Sequence, residues 1–369
     1  MTVTVNGSNG ITFNDGSSQT AAASPYGLKN RIINGDMRID QRNAGTVTVN
    51  SSGLYTVDRW QANQTSAGKF SVGKSTVAPA GFTNSYLATS LSAYSVSSSD
   101  IFFFLQQIEG LNVADLGWGT SSAQTVTLSF WVRSSLTGTF GGVFTNSAGN
   151  RSYPYTYTIN SANTWEQKSV TVAGDTTGTW LTDNGIGISV IFGLGGGASR
   201  SGTAGSWQAA NLYTATGATS LVGTNGATFY ITGVQLEVGS TATPFERRMY
   251  TNELQLCQRY YWQQLYTETY ETILDPARAG GTSSAYGTFY FPVTMRAAPS
   301  VANNGVGNFR VNDSRGNDQT CNSITTNGVT PSKATLVFGK ATANFTVADC
   351  VYVNTEFTND AALYFNAEL

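Results

Sequence analysis

The 369-residue chain carries 22 carboxylates and no histidine, and that combination decides which chemistry is open to it. Without imidazole there is no Ser-His-Asp or Cys-His nucleophile system. Zinc held through histidine is excluded too, and the three scattered cysteines Cys257, Cys321 and Cys350 have no metal-ligand spacing. Cys321 and Cys350 either pair or stay free. The "GDM" at 35–37 has the outline of an esterase nucleophile block, but Met37 stands where the serine would have to be. Two chemistries survive. Glycoside hydrolysis needs only two carboxylates about 5–10 Å apart across a cleft. Asp349, Glu356 and Asp360 offer such pairs, as do Asp313 and Asp318 in loops, although any chain this rich in acids offers them. Calcium binding needs only oxygen ligands.

Binding needs no bond chemistry, and its candidates are aromatic. Trp118, Trp165, Trp180 and Trp207 lie in or beside turns rich in Gly, Ser and Asn. An indole in such a turn either stacks on a sugar face or plugs the end of a β-sandwich. The stretches "NNGVGNFRVNDSRGNDQT" (303–320) and "NTEFTND" (354–360) mix single aromatics with Asn, Asp and Arg. They supply Phe309, Arg310, Asp313, Arg315, Asp318 and Phe357, either as solvated loop residues or as an adaptable sugar-contacting surface.

The elements that must position these residues are strands. Charged residues make up 11% of the chain, hydrophobic ones 40% and aromatics 12%, a balance that excludes disorder and suits cross-strand pairs. A formal charge of −2 leaves no basic footprint for nucleic acid. No apolar run approaches the roughly 18 residues of a membrane-spanning helix. "MTVTVNGSNG" has neither the basic nor the apolar region of a signal peptide, so synthesis in a cytoplasm without export by that route is expected. Residues 1–28 alternate in short pieces broken by Asn-Gly and Asp-Gly, the dipeptides of tight hairpins. Too small to bury a core alone, they need a partner surface. From 29 to 248 about ten strand candidates follow one another, as in Val126, Leu128, Phe130 and Val132 alternating with Thr127, Ser129 and Trp131. Strands at this spacing without helices predict a β-sandwich of jelly-roll type. "GLGGGASRSGTAGS" (193–206) reads as an exposed loop, and strands resume from about residue 270 to form a second, smaller β-sandwich.

Several blocks resemble one family. "NRIINGDMRIDQRNAG" (30–45) with "YTVDRW" (55–60) resembles the opening of the carbohydrate-binding-like jelly roll of phage tail fibre proteins. "FYITGVQLEVGSTATPFERR" (229–248) and "LQLCQRYYW" (254–262) are similar to the segment that closes that jelly roll and leads out through a helix. "FPVTMRAAPSV" (291–301) is similar to the strand pair that opens the small C-terminal domain of such fibres, and "GITFNDGSSQTAAA" resembles their virion-attachment region. The resemblance implies a structural calcium flanked by the first and last strands, for which Asn34, Asp36 and Glu237 would supply oxygens; a hydrogen-bonded turn explains "NGD" equally well.

"TNELQLCQRYYWQQ" (251–264) reads as a helix, because Tyr250, Leu254, Cys257 and Tyr261 fall at i, i+4, i+7 and i+11 on one face. A start with Thr251 as cap and Glu253 in the first turn fits that stripe. The stripe either packs on a sheet of its own chain or meets two further copies on a threefold axis. The expected organisation is therefore an attachment segment (1–28), a jelly roll (29–248), a helical neck (249–266) and a C-terminal tip (267–369). The family implies a homotrimeric receptor-binding fibre on the virion. It would adhere to host surface polysaccharide without catalysis or membrane insertion, held by a tail or baseplate protein through residues 1–28. A polysaccharide-degrading spike and a purely structural connector are the alternatives.

Overall fold

The computed structural model describes residues 4–6, 10–12, 18–19, 29–268, 271–313, 315–316, 318–347, 349–356 and 360–369. The protein is mainly β. At its start, Thr4–Asn6, Gly10–Thr12 and Ser18–Gln19 pair antiparallel in a small three-stranded meander.

Two six-stranded antiparallel sheets face each other over residues 47–238. The first runs Glu166–Val172, Val126–Ser134, Thr228–Val238, Ser85–Ser90, Phe70–Ser75 and Val47–Thr48 from edge to edge. The second runs Ser152–Ile159, Gly138–Thr145, Ile186–Gly196, Ile101–Glu109, Trp60–Gln64 and Leu54–Val57. Period-two alternation sends Val126, Leu128, Phe130 and Val132 inward, where all four are buried. Between the sheets lies an aromatic core. Phe104 meets Tyr86 edge-on with centroids 5.2 Å apart, and Phe130 meets Phe192 in the same way at 5.2 Å. Such edge-to-face pairs add to area burial because a positive ring edge meets a negative ring face.

The segment after residue 196 departs from expectation. The strand Ile186–Gly196 takes up the glycines of "GLGGG", and the following loop folds back over the outer face of the second sheet. Leu212 joins Phe103, Leu105, Val143 and Ile191 in a second buried cluster there, and Tyr213 stacks on Phe103 at 4.8 Å. Residues 203–206 are exposed as expected, while 210–213 roof the sheet, since that face is too apolar to be left to water.

Beyond the helix Tyr250–Gln258, the second β-unit closes six strands into a barrel in the order Thr272–Gly281, Ser284–Tyr290, Lys333–Lys340, Gln319–Val329, Phe309–Asp313 and Cys350–Thr355. Small and large side chains share the interior. Ala279, Ala285 and Ala334 make room for Phe309, Leu336 and Phe338, as a barrel this narrow requires. A three-stranded sheet of Tyr261–Tyr266, Ala361–Asn366 and Ser300–Asn303 packs against it through Trp262 and Phe365. The expected second sandwich thus takes the form of a barrel with a small sheet laid on it.

The helix is shorter than expected. It ends at Gln258, and Tyr261 opens a strand. Met249 stands at the N-cap without a side-chain bond, and Glu253 is turned inward instead, accepting from the Asn34 N–H and pairing with Arg248 at 3.4 Å. Most of the stripe packs within its own chain. Cys257 and Tyr261 are buried, Leu254 is half-buried, and Tyr250 is 55% exposed. Leu254 and Cys257 pack with Ile33, Ile39 and Tyr260, residues of the opening motif and of the turn that ends the helix.

Candidate functional site

Three of the tryptophans singled out above come together. Trp118 follows two short 3₁₀ turns, Trp180 lies in the connection before Ile186–Gly196, and Trp207 belongs to the roof loop. Their rings meet edge-to-face, with centroids 4.8 Å apart for Trp118–Trp180 and 5.3 Å for each of Trp118–Trp207 and Trp180–Trp207. Tyr153 extends the group, 5.3 Å from Trp207. Each indole N–H donates to a backbone carbonyl: Trp118 to Gln124, Trp180 to Thr177 and Trp207 to Ala173. Trp118 is buried and plugs the sandwich end; Trp180, Trp207 and Tyr153 are half-buried. With every indole donor already satisfied, what remains at this surface is ring area.

A fixed ion pair frames the cluster. Arg151 donates to both oxygens of Asp175 at 2.7 Å. Burial would raise the Asp175 carboxyl, but the bonds from Arg151 and Thr177 outweigh it and hold it below the ordinary carboxylate range. Asn146 donates to the Thr179 carbonyl at 3.1 Å and steadies the loop that carries Trp180. The arrangement can hold a flat, weakly polar ligand face against rigid rings. Trp165, the fourth indole, stands apart with Tyr230, 6.2 Å between centroids.

The C-terminal candidates divide differently. Phe309 is fully buried in the barrel core and cannot touch an external ligand, because its strand alternation turns it inward. Arg310, on the neighbouring position, faces out and bonds Asp318 at 2.9 Å and Glu356 at 2.7 Å. Arg315 bridges Asp313 at 3.0 Å and Asp349 at the end of the barrel. These loop charges form two arginine-centred knots. Phe357 lies outside the described residues. Asp360 is exposed, and its carbonyl accepts from the Asn304 and Asn308 side chains. Cys321 and Cys350 are free thiols, with burial pushing the Cys321 thiol up to about 12.

The residues expected around a calcium are each engaged by groups of the chain itself. Asn34 Oδ1 accepts from the Ile39 N–H at 2.9 Å, while its amide donates to the Ile39 and Asp58 carbonyls. Both Glu237 oxygens accept from Thr243. Asp36 pairs with Arg38 at 2.5 Å. Among the described residues no group of three or more Asp, Glu, Cys or His converges. The physical account of "NGD" is a turn. A Cβ on Gly35 would lie 2.2 Å from the Val234 carbonyl oxygen, so only glycine lets this backbone approach the Thr228–Val238 strand, where the Val234 N–H donates to the Gly35 carbonyl at 2.9 Å.

The motif blocks meet at the joint between the two β-units. Arg59 is 2% exposed, stacks over Tyr260 at 3.5 Å, pairs with Glu368 and donates to the Gln107 carbonyl at 2.6 Å. Arg42 stacks over Tyr261 at 3.6 Å and reaches Glu368 at 3.4 Å. Glu109 accepts from Arg259 at 2.5 Å and from the Tyr260 hydroxyl at 2.7 Å. Arg296 ties the Ala367 and Glu368 carbonyls to that of Asn184, with distances of 2.7, 3.0 and 2.8 Å. Burial drives the Asp58 carboxyl up to about 6 against the pull of Arg42 and Gln41. Sequence reading found these blocks but not their purpose, which is to lock one unit to the other. It also passed over Trp131, Arg133, Tyr230, Phe82 and Arg247 on the outer face of the first sheet; the only signal was the alternation that turns Trp131 and Arg133 away from the core.

No protein-family model matches this sequence, and no curated protein matches it. Solved structures that align with this chain include the enzymatically active domain of tailspike protein 4 from bacteriophage CBA120, with TM-score 0.31 and 15% identity over 59% of this chain. This chain spans 22% of that chain's length. A family 11 carbohydrate-binding module from Clostridium thermocellum, in complex with a β-1,3-1,4-mixed-linked tetrasaccharide, aligns with TM-score 0.27 and 12% identity over 54% of this chain and 98% of that one. The CBM22-1 and GH10 modules of endo-1,4-β-D-xylanase 10B from the same organism, in complex with xylohexaose, align with TM-score 0.28 and 12% identity over 53% and 28%.

Proposed function

We propose that this protein is a phage tail fibre, a receptor-binding protein that adheres to host surface glycan without cleaving it. The observation that carries the reading is the Trp118–Trp180–Trp207 cluster at one end of the jelly roll, two of whose rings are half-exposed on a rigid frame. The C–H faces of a pyranose ring pack on indole without needing its N–H, which here is already spent on backbone. Adhesion would be multivalent. Three copies, joined to the tail or baseplate through residues 1–28, gain roughly 10²–10⁴ in avidity from weak single sites. The resemblance of the opening and closing motifs to tail fibre jelly rolls supports this reading, as does the tying of Asp313, Asp318, Asp349 and Glu356 to arginines.

The test is binding of the purified protein to host cells and to their isolated surface polysaccharide, with reducing ends measured in parallel. The expected result is saturable binding, weakened in Trp180→Ala/Trp207→Ala, with no release of reducing ends. Release of reducing ends would establish the degrading spike. Failure to bind cells or compete with phage would leave a structural connector.

A further inference from the structure

The outer face of the first sheet carries a second aromatic surface, separate from the tryptophan cluster. On the strand Val126–Ser134, Trp131 and Arg133 project to the same side, about 7 Å apart along the strand. Arg133 lies opposite Tyr230 in the register and stacks over its ring at 5.0 Å, and Trp165, next to the edge strand that pairs with Val126–Ser134, meets the same ring at 6.2 Å. The register slips between Ser129 and Trp131 at a β-bulge, where Gly233 takes φ +60. A Cβ there would lie 2.7 Å from the Phe82 ring and 3.2 Å from Trp131. The bare glycine therefore lets Phe82 and Trp131 lie together over the backbone. Phe245 meets Phe82 at 5.3 Å, and Arg247 stacks over both, at 4.6 Å from Phe82 and 5.8 Å from Phe245. Trp131, Tyr230, Trp165, Phe82 and Phe245 are all half-buried, so the strip is reachable from solvent.

Its charge is one-sided. Most arginines of this chain sit in ion pairs, whereas among the described residues Arg133 and Arg247 have no carboxylate within salt-bridge distance. Arg133 uses only its Nε, on the Asn163 carbonyl at 2.9 Å. The nearest acids face other partners: Glu166 pairs with Lys168 and accepts from Asn160, and Glu246 accepts from the Asn30 N–H and approaches Arg248. Two guanidiniums lie over aromatic rings with donors unspent, on the sheet face that also carries Trp131. Guanidinium in this setting recognises carboxylate or sulfate through paired N–H donors, while the rings take the sugar faces.

We infer that this strip is a second glycan site and that it takes an anionic polysaccharide, a chain bearing uronate or sulfate groups. The inference rests on the adhesion reading above and adds the chemistry of the ligand. The experiment is titration calorimetry of the full chain with polygalacturonate and dextran sulfate, with dextran as the neutral control, at low and at physiological salt. One or both anionic chains bind in preference to dextran, and binding weakens as salt rises. In Arg133→Gln/Arg247→Gln the affinity falls by about tenfold or more while the thermal midpoint is unchanged; Trp180→Ala/Trp207→Ala leaves this binding intact. No preference over dextran, or an unaffected arginine double variant, overturns the inference. So does a fall in solution mass in that variant, which would make the strip a contact between copies. Should cell adhesion persist and depend on Trp180 and Trp207 while neither anionic chain binds, the adhesion reading stands and this inference falls.

Discussion

At the scale of the residue, what the sequence offered as chemistry the structure uses as architecture. Gly35 is the clearest case. Its missing side chain lets two strands touch, and Gly35→Ala forces a methyl into the Val234 carbonyl; we expect a loss of about 1–3 kcal/mol, read by urea denaturation. Arg59 and Glu368 are both nearly inaccessible, so removing one partner leaves a buried charge unanswered. Glu368→Gln should cost about 3–5 kcal/mol, far more than an exposed pair would. Asp58 supplies a pH dependence whose sign is fixed. Burial raises its folded pKa to about 6 from an ordinary 3.8, so the folded state holds the proton more tightly than the unfolded one. Raising the pH from about 4 through 6 therefore subtracts stability through this group, up to a few kcal/mol. The difference in unfolding free energy between the native protein and Asp58→Asn should shift in favour of the variant across that window; a constant difference would refute the assignment.

At the scale of the element, the stretch 250–266 shows where local pattern and packing part. Tyr250, Leu254 and Cys257 carry the helical period, and a helix forms there. The continuation to Tyr261 was an accident of spacing. After Arg259 the run "YYWQQLY" pairs with Ala361–Asn366, because its aromatics gain more from the barrel sheet than from another helical turn. The helix and the chain's last residues together form the lock on the jelly roll. Deleting Ala367–Leu369 removes Glu368 from Arg59 and Arg42, and two carbonyls from Arg296. Calorimetry should then show the single unfolding transition of the full chain divide into two, one for each β-unit. One undivided transition would mean that the remaining contacts suffice.

At the scale of the whole molecule, ion pairs and hydrogen bonds at the joint tie jelly roll to barrel, a path by which force at either end would reach the other. That is what an adhesive stalk requires. With half of the tyrosine stripe buried within its own chain, the proposed trimer must draw on other surfaces, among them exposed Tyr250 and Met249. Light scattering of the full chain should give about three times 39.2 kDa. Tyr250→Glu/Met249→Glu should lower that mass if the helix start is part of the contact. A native mass near 39.2 kDa would remove the avidity mechanism.

The sequence by itself determined what depends on neighbours along the chain. Period-two alternation placed Val126, Leu128, Phe130 and Val132 in the core, and the absence of histidine excluded whole classes of chemistry. What only the tertiary structure decided are the meetings between distant residues. Trp118, Trp180 and Trp207 sit in three separate loops, and no local pattern says that their rings touch. Phe309 looked like a loop aromatic until strand pairing turned it into the barrel, and Arg59 found its carboxylate at residue 368. Side-chain period is a property of one strand, whereas register, closure and the pairing of buried charges arise when sheets pack and exclude water.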